Sequence, residues 1–184
     1  AFLKINPNGK VPALVDGNVT LFESMAINFY IAEKYKPELL GKTLEEKALS
    51  YQWSFWSSSE LQDPIIQVFI QKVFMPEEKK SQTIINENME KLPALFQILD
   101  NALRGKKYLS GDHFSLADLN TASVASIANH IGFDMKPYKN IDSWMKAGFQ
   151  AFNRELREAI ADNLFALDAA DKIEDEEEKE AEKA

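Results

Sequence analysis

The sequence contains no cysteine. Disulfides, zinc ribbons and a protein-borne thiol nucleophile are therefore excluded within these 184 residues, and the absence fits a reducing compartment such as the cytoplasm. Histidine is almost missing: His113 and His130 are the only two, and nothing near them has the spacing of a metal site or a catalytic triad. No apolar run approaches the roughly 18 residues needed to cross a bilayer, so a membrane span is not expected. Positive charge is in deficit. Lys and Arg total 21 against 29 Asp and Glu, a net charge of −8, which argues against a nucleic-acid partner, because that partner needs clustered cations to meet its phosphates. An initiator Met and a signal-peptide pattern are also missing ahead of Ala1-Phe2-Leu3-Lys4-Ile5, so the chain is expected to begin inside a longer one.

What is present is ordinary globular material, 45% apolar and 27% charged. The acidity is uneven. Residues 171–184 (DKIEDEEEKEAEKA) carry eight acidic and three basic residues, whereas the rest has a net charge of only −3. Most of the negative charge belongs to a tail at 167–184, read as a solvated run.

Only residues 10–22 read as β structure. Lys10 to Val15 and Val19 to Phe22 flank Asp16-Gly17-Asn18, residues that accept positive φ, and so predict a tight hairpin. From Glu23 the period becomes helical through Ile27, Tyr30, Ile31, Lys34 and Tyr35, and ends at Lys36-Pro37. Beyond a short linker over 36–43, every pattern is helical. Leu44 to Phe74 is rich in aromatics, with Pro64 expected to kink or split it. Ile85, Met89, Leu92, Phe96, Leu99 and Leu103 predict a second helix with a bend at Pro93 and a C′ glycine at Gly105. Ser115-Leu116-Ala117-Asp118 is an S-x-x-D capping box, flanked by Phe114 and Leu119 as a hydrophobic staple, and opens an Ala/Ser-rich helix expected to be central. Ile141, Trp144, Met145 and Phe149, then Phe152, Leu156, Ile160 and Leu164, predict two more. A two-strand hairpin with one helix does not form a stable sheet domain alone, so further strands are expected on the N-terminal side.

Three features at the hairpin bear on chemistry. Val11-Pro12 stands where a strand begins, a position that tolerates a residue with no amide donor. A cis bond there would turn the Val11 backbone outward to pair with an extended peptide, but only about 5–6% of X-Pro bonds in folded proteins are cis, so composition alone favours trans. Glu23-Ser24 stands at a helix start, where free amides and a partial positive charge seat a carboxylate. Glu23 could meet an ammonium, so the pair would hold both charges of an α-amino acid; alternatively it is a simple N-cap. Lys10 could neutralise a ligand carboxylate, or merely protect a strand edge from aggregation.

Together these residues carry a resemblance. Asn6-Pro7-Asn8-Gly9-Lys10-Val11-Pro12-Ala13-Leu14, Leu21-Phe22-Glu23-Ser24-Met25-Ala26-Ile27 and Tyr30-Ile31-Ala32-Glu33-Lys34-Tyr35 resemble, in order and spacing, the glutathione transferase superfamily. Tyr108 to Asp118 resembles the capping-box region of that family's helical domain, and the likeness runs from residue 2 to about residue 165. It implies an α+β N-terminal part of a thioredoxin-like domain (1–36, a β-hairpin plus helix), an all-α domain over 44–166, and glutathione as co-substrate with no metal. By the resemblance, the Val11 backbone pairs with the cysteinyl part of glutathione and Pro12 matches the family's cis-proline. Glu23 and Ser24 match the pair that holds the γ-glutamyl end, and Lys10 a position that often meets the glycyl carboxylate. Ser115 and Asp118 match a folding motif.

The activity implied is attack of the glutathione thiolate on a small hydrophobic electrophile, by a cytoplasmic homodimer. The family's thiol-activating Tyr, Ser or Cys has no counterpart here and is expected before Ala1. The 184-residue chain alone is thus expected to bind glutathione weakly and to turn it over little. Ser54, Ser57 and Tyr51 do not occupy the matching position, and Trp56 and Phe69 are the candidates for the electrophile pocket. The alternative is a non-catalytic assembly module of the same fold, like the N-terminal domain of the elongation factor 1B gamma subunit.

Overall fold

The computed structural model describes residues 2–148 and Gln150. Its sheet is the predicted hairpin: β1 (Ala13–Asp16) pairs antiparallel with β2 (Val19–Phe22), in register from Ala13 opposite Phe22 to Asp16 opposite Val19. The two-residue connection is Gly17-Asn18, and Gly17 takes φ of +58°, the first central position that a hairpin gives to glycine. α1 (Ser24–Tyr35) follows and stops before Pro37, because the residue preceding a proline is pushed out of the helical region. Tyr30 donates to the Asp16 carboxylate at 2.9 Å, and Lys34 pairs with the same group, which ties α1 back to the hairpin tip.

A short 3₁₀ turn, Pro37–Leu40, leads to Gly41 at φ +126°. A Cβ there would lie 2.7 Å from the Lys47 amide nitrogen, so the linker reaches the next helix only with glycine. α2 (Leu44–Trp56) opens on a capping box: Thr43 Oγ1 accepts from the Glu46 amide at 3.2 Å, and Glu46 Oε2 accepts from the Thr43 amide at 3.3 Å.

The split expected in the long aromatic segment falls before Pro64. A π-turn over Ser57–Leu61 separates α2 from α3 (Gln62–Phe69), and Pro64 sits in the first turn of α3. Proline has no N–H, so the Glu60 carbonyl loses its usual partner, and a helix start is where that loss is best tolerated. Pro93 behaves differently. α4 (Gln82–Ala102) runs through it unbroken, and the Tyr138 hydroxyl donates to the Pro93 carbonyl at 3.3 Å. Gly105 has positive φ but lies one residue beyond the expected C′ position, since the C-cap is Leu103.

α5 (Leu116–Ala125) starts at Ser115 as predicted. It is shorter than the Ala/Ser-rich stretch, which finishes as a 3₁₀ turn over Ser126–Asn129 with His130 at its end. Residues 139–148 are helical, their first amides capped by Asp100, whose Oδ1 accepts from Asn140 at 2.9 Å and Ile141 at 3.2 Å. The predicted helix over Phe152 to Leu164 and the tail at 167–184 lie outside the described residues.

One apolar core joins these helices. Leu61, Ile65 and Val68 of the middle segment meet Leu92, Phe96 and Leu99 of α4 and Ala117, Val124 and Ala125 of α5. Burying each large side chain contributes about 1.5–3 kcal/mol. α5 is central, as its small residues required. Asp118 in its first turn accepts four hydrogen bonds, from the Leu109 amide (2.8 Å), the Ser115 amide (3.0 Å), the Ser115 hydroxyl (3.0 Å) and the Trp144 indole (2.7 Å). Asp118 is fully buried; burial pushes its carboxyl up, and the four donors pull it back.

The hairpin part is docked by polar as well as apolar contacts. Asn28 of α1 donates to Asn120 of α5 at 2.7 Å, and Asn120 donates to Ser54 of α2 at 2.9 Å. Met25 of α1 packs on the main helical core, while Ala32 and Leu40 share a second cluster with Leu116.

Candidate functional site

The segment before β1 is built around a buried amide. Asn6 is 2% exposed; its Oδ1 accepts from the Asn8 amide at 3.0 Å and its Nδ2 donates to the Lys10 carbonyl at 2.5 Å. This folds residues 6–10 into a loop and fixes the chain direction into Val11. The Val11–Pro12 peptide is cis. Val11 is 83% exposed and forms no hydrogen bond to another described residue, so its amide and carbonyl stand free. Lys10 and Val11 are therefore presented outward by a loop that the Asn6 side chain and the Gly9-to-Asn6 backbone bond hold together.

The strand-to-helix junction supplies the other wall. Glu23 has φ of +75°, the one positive value at a non-glycine among the described residues, and such backbone strain of about 1–3 kcal/mol gathers at binding sites. Glu23 occupies the N-cap position without a capping bond from its side chain, and Ser24 is the first residue of α1. Of the pair, Glu23 thus takes the N-cap position through its backbone alone: neither its carboxylate nor the Ser24 hydroxyl has a partner among the described residues.

These groups converge. One cavity of about 330 Å³ is lined by Asn6, Asn8, Lys10, Val11, Pro12, Glu23, Ser24 and Gln62. All five residues singled out from the sequence are on its wall. It offers a cation, an anion, a hydroxyl at a helix N-terminus and a free stretch of backbone, the complement of an extended peptide with charged ends. Asn6, Asn8 and Gln62 were not foreseen. The Asn-Pro-Asn-Gly run signalled a turn, but nothing in it showed that one amide would be buried at the turn's centre. Gln62 is distant in sequence and follows no motif.

Trp56 and Phe69 do not line this cavity. Both pack partly buried on the helical core, Trp56 edge-on to Trp53 at 5.2 Å and Phe69 edge-on to Phe74 at 5.6 Å. Elsewhere, Glu46, Asp112 and His113 each bring one potential ligand atom within 4.8 Å of the others. Glu46 Oε2 is already taken by the Lys42 and Thr43 amides at 2.6 and 3.3 Å, and the Lys42 ammonium lies 3.5 Å from Asp112. That arrangement caps a helix and locks a loop. Other cavities of comparable size, among the described residues, lie beside Met135, Lys136, Ile141 and Met145 and beside Lys106, Lys107, Ser143 and Trp144.

A hairpin with a cis-proline at its mouth, docked on a helical core with a buried S-x-x-D box, defines a class: the hairpin-and-helix part of a thioredoxin-like domain followed by an all-α domain. Comparison with known proteins agrees. The glutathione S-transferase N-terminal domain model matches residues 1–33, and the C-terminal domain model matches residues 61–150. Glutathione S-transferase F9 of Arabidopsis thaliana is 34% identical over 155 residues, covering 78% of this chain and 71% of its own. Glutathione S-transferase 4 of Zea mays is 40% identical over 122 residues, 65% of this chain and 55% of its own. Among solved structures, glutathione S-transferase I from mais, in complex with an atrazine glutathione conjugate, superposes with a TM-score of 0.70 at 36% identity, covering 78% of this chain and 70% of that one. The chain belongs to the glutathione transferase superfamily. It spans a little over half the length of the maize relative, and no described helix is long and apolar enough to cross a membrane.

Proposed function

We propose that this chain carries the glutathione-binding edge and the helical domain of a glutathione transferase that joins glutathione to small hydrophobic electrophiles in the cytoplasm, as a homodimer. The observation that carries the reading is the set of unpartnered groups around one cavity: the Lys10 ammonium, the free Val11 backbone, the Glu23 carboxylate and the Ser24 hydroxyl. Glutathione laid along them sets its glycyl carboxylate toward Lys10, its cysteinyl amide and carbonyl against Val11, and its γ-glutamyl ammonium and carboxylate toward Glu23 and the first amides of α1. Pro12, with no N–H of its own, leaves the pairing to Val11.

The chemistry is substitution or addition at carbon. A free thiol titrates near pH 8.5 and is mostly protonated at neutral pH, so a donor on the protein must favour the thiolate. The sulfur, its proton lost to solvent, then forms a C–S bond to the electrophile: in substitution the leaving group departs with its electron pair, and in addition the displaced pair stays on the electrophile and takes up a proton from solvent. No residue on the cavity wall is placed as the activating donor. The electrophile side belongs to helical surfaces that follow no motif.

The test is conjugation of glutathione to an aryl halide, followed by absorbance, using the full-length protein. Turnover that saturates with glutathione and falls on Ser24→Ala supports the reading. No conjugation despite measurable glutathione binding would overturn it. The assembly-module alternative is not favoured, since the relatives are named as transferases.

A further inference from the structure

We propose that Gln62 is the helical part's own contact with the tripeptide, its side-chain amide bonding the charged γ-glutamyl end; this rests on the glutathione reading above. Seven of the eight residues lining the cavity come from 6–24, and Gln62 alone comes from the helical domain that follows α1. Its position is set by local chemistry. The π-turn over Ser57–Leu61 ends on it, and its amide donates to the Ser57 carbonyl five residues back rather than four. Pro64, two residues on, forbids the next regular bond. Leu61, Pro64 and Ile65 around it are buried in the core, so the turn is held while Gln62 points outward. Such widened turns recur at functional positions.

Two further observations bear on the side chain. Met25, directly after Ser24, packs on the helical core to which Leu61 and Ile65 belong. The Gln62 amide also has no partner among the described residues. Gln67, Gln71, Gln82 and Gln97 do have partners, while Gln52 on α2 has none. An α-amino acid presents an ammonium beside a carboxylate. A primary amide donates to one and accepts from the other, whereas a charged side chain would attract one and repel its neighbour. Gln62 thus adds to Glu23 and Ser24 without disturbing their charge balance, and a bound ligand would bridge the hairpin part and the helices.

The test uses this chain, nitrogen-labelled, titrated with glutathione in an NMR experiment. That method reads affinities in the millimolar range, and Gln62→Ala identifies the Gln62 side-chain signals by their loss. The Gln62 side-chain signals should move with the same saturation as the Val11 amide, and Gln62→Ala should weaken binding about three- to tenfold. Cysteinylglycine, which lacks the γ-glutamyl residue, should leave the Gln62 signals where they are. If Val11 responds to glutathione while Gln62 does not and Gln62→Ala binds as wild type, the proposal fails and the glutathione reading stands. If the Gln62 signals follow cysteinylglycine equally, the γ-glutamyl placement is overturned. If neither residue responds to glutathione, the glutathione reading fails, and this proposal with it.

Discussion

Two regions of the molecule use nearly the same side chains for opposite ends. Around Asp118, a carboxylate and serine hydroxyls are fully buried, and every donor that points at the carboxylate is bonded to it. Around Pro12, a carboxylate, a hydroxyl and an ammonium stand free at the edge of a cavity, on a backbone strained at Glu23. A polar group whose bonds are completed by its own chain is part of the structure; one held in place with its bonds unmade is available to a ligand. Residue type does not separate the two. Ser24 and Ser115 both stand at helix starts, and only the second is spent on its own fold.

The comparison is open to attack from its strongest side first. Asp118→Ala leaves the Leu109 and Ser115 amides and the Trp144 indole unpaired in the core, and should destabilise the protein by about 3 kcal/mol or more in urea unfolding. A loss below about 1 kcal/mol would mean that the box is dispensable. Ser24→Ala should do the reverse. Unfolding stability should stay within about 0.5 kcal/mol, because the hydroxyl has no partner to lose. Glutathione affinity should fall about tenfold, the value of a hydrogen bond to a charged group. The smallest effect belongs to Asp16, held below the usual carboxylate range by the Lys34 and then the Tyr30 hydrogen bonds. A depressed carboxylate stabilises the fold above its unfolded value near pH 4 and loses that contribution as pH falls through its folded value. Asp16→Asn should therefore flatten the acid limb of the stability profile slightly and leave neutral-pH glutathione binding unchanged. An unaltered acid limb would show the pair to be idle.

Much of this division was legible in the sequence. The hairpin register, the capping box at Ser115 and the apolar positions of α4 follow from short-range rules, because spacing and turn residues act within a few positions. The cavity's near wall was legible for the same reason: Lys10, Val11, Pro12, Glu23 and Ser24 are close in sequence and match a family pattern. Thr43-Leu44-Glu45-Glu46 carried a plain T-x-x-E signature that composition around it concealed. What the sequence did not show is long-range. Gln62 reaches the cavity only because helices pack, whereas Pro93 lies inside α4, within the helix read there from the apolar spacing. Trp56 and Phe69 were named for their chemistry; both are partly buried against the helical core and away from the cavity beside Pro12.

Glu23 holds both halves of the contrast in one residue, so its replacement by glycine tests the central claim most directly. Glycine accepts the backbone angle that strains Glu23, and removes the carboxylate proposed to meet the ligand ammonium. The measurement is paired: unfolding free energy and glutathione dissociation constant on the same Glu23→Gly protein. Stability unchanged or raised by about 1 kcal/mol, together with affinity lowered about tenfold, is the predicted result. Affinity equal to that of the wild type, or a loss of stability that accounts for the weaker binding, would contradict it.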